Sequence, residues 1–326
     1  MAQILLIGIG SGAASALLFA SFTSGSPLAI ILFYLAPLPI LIAAIGWRHP
    51  AGLVGLLAGS LGIAVAQSPM LALLFATGVA LPAWWLAYLA LLARPSADGT
   101  PEWYPVGRLV LWTAVLAAVL VTASVPMLAG DLDTYQAAMR SVFEQVLRAQ
   151  LRTPADAPLH LPNGGDAAAF IDLMVLLVPP TGALLWTVTT LGNLWLAGRI
   201  VRRSGRLQRP WPDVAVELAF PRGTAALVGA AVLLGSIASG LLGLAAEVLA
   251  TSLLAVFALL GLAVLHVVTR GMAARPIVLV ATYLFTLLQG WPFLLFALLG
   301  LAEQLFGIRA RFLARRSPSP PLDPSR

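Results

Sequence analysis

The chain is a succession of apolar runs, most of them about as long as a bilayer is thick, separated by short turn-forming or Arg-bearing connections. A membrane-crossing helix needs about 20 consecutive, mostly apolar residues. The runs occupy residues 4–22, 27–46, 51–67, 70–92, 109–129, 167–197, 224–241, 245–268 and 277–306. Composition agrees, with 60% hydrophobic and only 10% charged residues among 326 and a mean hydropathy of +0.94. Soluble domains carry about 25% charged residues, and disordered chains are polar and charge-rich, so both classes are excluded. The expected fold is an all-α, polytopic transmembrane helical bundle forming one integral-membrane domain over residues 1–316. With no Cys in the chain, a disulfide framework, a thiol nucleophile and a thiolate metal site are all excluded.

Charge sets the expected orientation. Every basic residue is Arg, and 16 of the 19 fall in alternate connections: Arg48; Arg94 and Arg108; the cluster from Arg199 to Arg222; Arg270 and Arg275; and the group from Arg309 onward. The intervening connections 23–26, 68–69, 242–244 and 290–291 carry no charge. Basic residues crowd the cytoplasmic ends of spans, so this pattern predicts hairpins that start and finish inside, with both termini cytoplasmic and loop 199–222 an Arg-rich cytoplasmic loop. The last run holds Gly290-Trp291-Pro292 at its middle, a triplet able to turn a hairpin or kink one span. A hairpin gives about ten segments and a kink nine, and the charge alternation favours ten. Net charge +6 and pI near 10.7 read as this topology signal and not as a nucleic-acid footprint. The first run lacks a basic leader and a cleavage-like site, so it reads as a retained span.

One connection, 130–166, is long and polar. Asp133 and Gln136 form a capping-box signature, and Tyr135, Met139, Val142 and Val146 follow at helical spacing, predicting an outer amphipathic helix over about 133–152. Such a helix lies in the interface, covers the outer mouth of the bundle, or is a plain connector. The Pro-rich end, 317–326, reads as a disordered tail.

Motif matches yield little chemistry. Gly8-Ile9-Gly10-Ser11-Gly12-Ala13 fits the dinucleotide fingerprint in form, but the acidic residue needed about 20 positions later is missing; the first acid is Asp98. Gly8, Gly12 and Ala16 instead form a small-residue helix face, and Gly52, Gly55, Gly59 and Gly62 form a second. Asn163-Gly164-Gly165-Asp166 and Ser11 match intramembrane protease motifs only loosely, without a second carboxylate or an evident base. Three scattered His residues and no Cys give no metal site, no cofactor motif is present, and the absence of Lys rules out a P-loop.

Polar residues at span depth are costly, so they carry information. Asp172, His266 and Glu303 read as intramembrane polar or structural groups. The sixth run is expected to be broken at Pro179-Pro180, two consecutive lost donors. Interrupted spans favour binding sites in transporters, which makes Thr187 and Asn193, with Glu247 and Gln289 from later runs, the candidate ligand-binding residues.

The run Gly261-Leu262-Ala263-Val264-Leu265-His266 followed by Arg270, the ending Gly300-Leu301-Ala302-Glu303 with Arg309, and Glu217-Leu218 with Pro221 leading into a span resemble the YybS-like family of multi-pass bacterial membrane proteins. The resemblance implies a bacterial inner membrane and a remote similarity to the substrate-binding components of energy-coupling-factor transporters. It implies no catalytic residues. The functional expectation is a non-enzymatic protein in a lipid bilayer that binds or transports a small molecule, energised by an ion gradient or a separate membrane subunit. The alternative is a scaffold in a cell-envelope complex, joined through its Gly faces and Arg-rich loop. An intramembrane enzyme is a third class, for which no constellation assembles.

Overall fold

The structure, a computed structural model, describes residues 1–316 except 155 and 163; the expected disordered tail lies outside the described residues. The chain is almost wholly helical: α1 (Ala2–Ala20), α2 (Pro27–Tyr34), α3 (Leu38–Trp47), α4 (His49–Ala66), α5 (Pro69–Phe75) and α6 (Leu81–Ala90) come first. A short antiparallel hairpin, β1 (Ala93–Pro95) with β2 (Pro101–Trp103), is the only strand pairing among the described residues, and Arg94 and Glu102 pair across it at 2.9 Å. Then follow α7 (Val106–Ala129), α8 (Leu132–Leu151), α9 (Ala167–Arg203), α10 (Val214–Glu217), α11 (Thr224–Ile237), α12 (Gly240–Val268), α13 (Arg275–Gln289), α14 (Pro292–Phe306) and α15 (Ile308–Arg316).

Local chemistry sets these boundaries. Ser26 and Ser68 cap α2 and α5 through their hydroxyl oxygens, each with Pro at the first helical position, where a missing N–H costs nothing. Asp131 caps α8, its Oδ1 accepting from the Thr134 N–H at 2.7 Å; the cap is thus two residues ahead of Asp133, the residue that the capping-box spacing picks out.

Among the described residues, seven helical stretches are long and apolar enough to cross a bilayer: Ala2–Ser24, Pro27–Trp47, His49–Ala66, Pro69–Ala90, Val106–Ala129, Ala167–Arg203 and Gly240–Val268. An eighth arises if α14 and α15, bent by 70° at Gly307, count as one span. The difference from about ten lies in three short helices. The run 224–241 stays helical only to Ile237, because Ala238 turns extended before Ser239 and Gly240. α13 and α14 hold 15 residues each, roughly 22 Å at 1.5 Å per residue.

The sixth run is not broken. α9 continues through Pro179 and Pro180 for 37 residues, about 55 Å. Proline's fixed φ is itself helical, so the pair deprives the carbonyls of Val175 and Leu176 of donors without ending the helix, which α7, α8 and α12 support from the side.

Small residues bring the helices together as read from their spacing. A Cβ at Gly12 would collide with the Gly55 carbonyl, and one at Gly59 would lie 2.8 Å from the Gly12 carbonyl, so α1 and α4 touch backbone to backbone. Gly52 faces Ala44 of α3, while Gly62 faces open space. α12 is the most enclosed helix, and Gly261 and Gly300 seat it against α14 at a comparable distance. Two helix interruptions are bridged from α9. Pro82 cannot donate to the Gly78 carbonyl, and the Trp186 indole N–H does so at 2.9 Å. The break between α2 and α3 diverts the Leu38 N–H to Leu35, and Asn193 Nδ2 donates to the Tyr34 carbonyl instead, at 2.7 Å.

Along α8, Leu132, Tyr135, Met139, Phe143 and Leu147 are partly buried, with Leu132 and Tyr135 packed on Ala183, Leu244 and Val248. Val142 and Val146, the other half of the predicted stripe, stay exposed.

Candidate functional site

A cavity of about 740 Å³ lies among the first turns of α7, the last third of α9, the C-terminal part of α12 and the connection from α9 to α10. Its size falls in the range of small-molecule sites, roughly 300–1,000 Å³. One face of α9 lines it through Val188, Leu191, Gly192, Trp195 and Gly198, residues three or four apart or adjacent, as a single helical stripe requires. Val106, Leu109 and Val110 come from α7, and Leu259, Leu262, Ala263 and His266 from α12. Gly192 carries no side chain, and a Cβ there would meet nothing within 4 Å. The walls are therefore apolar except for Arg209, His266 and Tyr283 and the indoles of Trp195 and Trp211.

The polar groups sit at two edges. His266 Nε2 and the Tyr283 hydroxyl are 2.8 Å apart, joining α12 to α13, a helix with no buried residue. Across from them, Arg209 donates from Nη1 to the Ala90 carbonyl at 3.3 Å. Burial disfavours its charged form, and the charge of Glu217 opposes that effect. The Trp211 ring lies under two more guanidiniums, with Arg202 and Arg199 centred 5.5 and 5.9 Å from it; Arg199 also stands 5.3 Å over Trp195.

This wall is held by two ion pairs. Asp213 accepts from Arg270 Nη2 at 2.7 Å, which holds its carboxyl below the usual range. Arg309 and Glu303 pair at 2.8 Å, nearly buried, and Arg309 donates from Nη1 and Nη2 to the carbonyls of Ala215 and Leu218, both on the cavity wall.

The residues singled out from the sequence divide differently. His266 lines the cavity. Thr187 and Asn193 are buried on α9 but do not line it, and Thr187 Oγ1 and Asn193 Oδ1 find no partner among the described residues. Asn193 Nδ2 is occupied by the carbonyls of Tyr34 and Thr189. Glu247 is half-buried near the start of α12, against Gly235 of α11. Gln289 is exposed at the end of α13. Asp172 pairs with Arg140 of α8 at 2.6 Å. The structure thus brings Thr187 and Asn193 onto one helix and leaves Glu247 and Gln289 apart from them. Arg209, Trp195, Trp211 and Tyr283 are missed by sequence reasoning. The signal was present in Arg209-Pro210-Trp211-Pro212, aromatic and basic groups stiffened by prolines, but the Arg content reads first as topology.

A search of curated proteins and a search of solved structures each found no match. A family model described as a predicted membrane protein, DUF2232, matches residues 13–303, from within α1 to Glu303, and so includes every element that lines the cavity. By that match over most of its length, the chain belongs to the DUF2232 family of predicted membrane proteins.

Proposed function

We propose that this membrane protein binds a largely apolar small molecule in the cavity between α7, α9 and α12, as a non-enzymatic, transporter-like component of a bacterial inner membrane. The observation that carries the reading is the cavity itself: about 740 Å³ of space walled by side chains that would otherwise pack together, at one end of an apolar bundle. In this reading both termini are cytoplasmic, α11, α13 and α14 serve as short segments beside the seven long ones to make ten, and the cavity opens at the cytoplasmic end. The YybS-like resemblance and its remote kinship to vitamin-transporter binding components agree with it, and energy would come from an ion gradient or a separate subunit.

The test is photolabelling of the purified protein, in nanodiscs of neutral phosphatidylcholine, with a long-chain alcohol bearing a diazirine. Labelling should concentrate in peptides covering 188–198, 207–215 and 259–266. Gly192→Phe, whose ring enters open space, should abolish it there while leaving thermal stability unchanged. Labelling spread evenly over lipid-facing helices and indifferent to Gly192→Phe would overturn the reading.

A further inference from the structure

Resting on that cavity reading, we infer that the occupant is an amphiphile with a phosphate-type anionic headgroup, held at Arg209 beside Trp211, with its hydrocarbon part in the apolar cavity. A guanidinium carries five N–H donors, and Arg209 spends one on the Ala90 carbonyl. No carboxylate lies within 4 Å of it among the described residues. Arg199 and Arg202 likewise have no ion-pair partner among the described residues; their guanidiniums rest on the Trp211 ring instead.

The nearby acids make no direct ion pair with Arg209. Asp213 is engaged by Arg270, and Glu217 Oε1 accepts from the Asp213 N–H at 2.8 Å. A cation half-removed from water with no carboxylate in direct contact is unfavourable on its own, and its planar fork matches phosphate oxygens two at a time. Among the described residues, the remainder of the lining offers side-chain hydrogen bonds only from His266, Tyr283 and the two indoles, so the part beyond the headgroup is hydrocarbon. A wholly neutral ligand would leave Arg209 unsatisfied, and a free phosphate would leave the apolar volume unfilled.

The experiment extends the photolabelling to three probes: a diazirine-bearing alkyl phosphate, the matching alcohol, and inorganic phosphate as competitor. The alkyl phosphate should label 188–198 and 207–215 at a concentration on the order of tenfold lower than the alcohol needs. Arg209→Gln should erase that advantage and leave alcohol labelling as it was. Inorganic phosphate should not compete. Should Arg209→Gln fail to fold, the double variant Arg199→Gln/Arg202→Gln, which spares the Ala90 contact, should reduce the advantage severalfold.

If Gly192→Phe abolishes labelling by both probes but the two label equally, the cavity stands and the anionic class falls. An advantage that survives removal of the Arg side chains sinks the headgroup assignment, and competition by inorganic phosphate shows a free-anion site instead. Labelling indifferent to Gly192→Phe removes the cavity reading on which the inference rests.

Discussion

Glu303 and Arg309 hold one another through two contacts across the 70° bend between α14 and α15: Arg309 Nε to Glu303 Oε1 at 2.8 Å, and the Arg309 backbone N–H to Glu303 Oε2 at 2.9 Å. Both side chains are over 90% buried. Gly307, with φ +61°, makes the bend available, because a side chain in that left-handed region is strained. The guanidinium then reaches the carbonyls of Ala215, Val216 and Leu218, so one arginine fixes the end of α14 to the segment that walls the cavity.

Removing either charge should therefore be costly. Arg309→Ala or Glu303→Ala leaves a buried group unpaired, for which about 3–5 kcal/mol is typical. The double variant Glu303→Leu/Arg309→Leu removes both charges but still strands three carbonyls, so it should recover only part of the loss. Thermal unfolding in detergent, compared across the single and double variants, measures this. Full recovery in the double variant would show that the carbonyl contacts contribute nothing.

Arg48, between α3 and α4, holds φ +74° and ψ 157°, a region nearly reserved for glycine. Packing around it enforces the turn, since the Trp84 indole donates to the neighbouring His49 carbonyl at 3.2 Å. Arg48→Gly should relieve backbone strain and raise stability by about 1 kcal/mol. An unchanged or lowered unfolding temperature would mean that the arginine side chain contributes as much as its backbone costs.

Thr187 and Asn193 are both buried on α9 but should respond in opposite senses. Asn193 Nδ2 satisfies the Tyr34 carbonyl at the α2–α3 break, so Asn193→Leu should destabilise by about 1–3 kcal/mol. Thr187 Oγ1 has no partner among the described residues, and Thr187→Val removes a buried orphan at nearly constant shape. That variant should be neutral or slightly more stable. Equal losses at both positions would contradict the hydrogen-bond assignment, and unfolding temperatures of the two variants decide it.

These residues also show what was legible in the sequence. The apolar runs and the glycine faces were, because solvent and close approach act through composition and spacing that a single chain displays. Gly12 and Gly55 each lie on a small-residue face that the spacing marks, although their meeting is a matter of tertiary packing. The continuity of α9 was not: losing two donors at Pro179 and Pro180 suggests a break, but packing from three helices outweighs that local loss. Nor was the cavity. Its lining comes from residues 45 to 283, and which face of α9 meets it depends on tertiary contacts that periodicity alone leaves open. The partner of Asp172 was not legible either, because Arg140 stands 32 positions away on a helix whose docking the sequence does not specify.

The Asp213–Arg270 pair makes the cavity wall sensitive to acid. Hydrogen bonding from Arg270 is the main cause that holds Asp213 below its ordinary value of 3.8, with desolvation opposing it. A depressed carboxyl stabilises the folded state above its unfolded pKa, and that contribution disappears as pH falls through the lower folded value. The pair's contribution is thus fully present at neutral pH, begins to fade below about pH 4, and is gone once Asp213 is protonated in both states. Both side chains are substantially exposed, so the gain is small, about 0–1 kcal/mol. Asp213→Asn should lower the unfolding temperature slightly at pH 7, and the gap from the unmodified protein should close as the solution is acidified past the carboxylate range. A gap that persisted in acid would trace the effect to the Asp213 backbone and its neighbours around α10, and the charge would play no part.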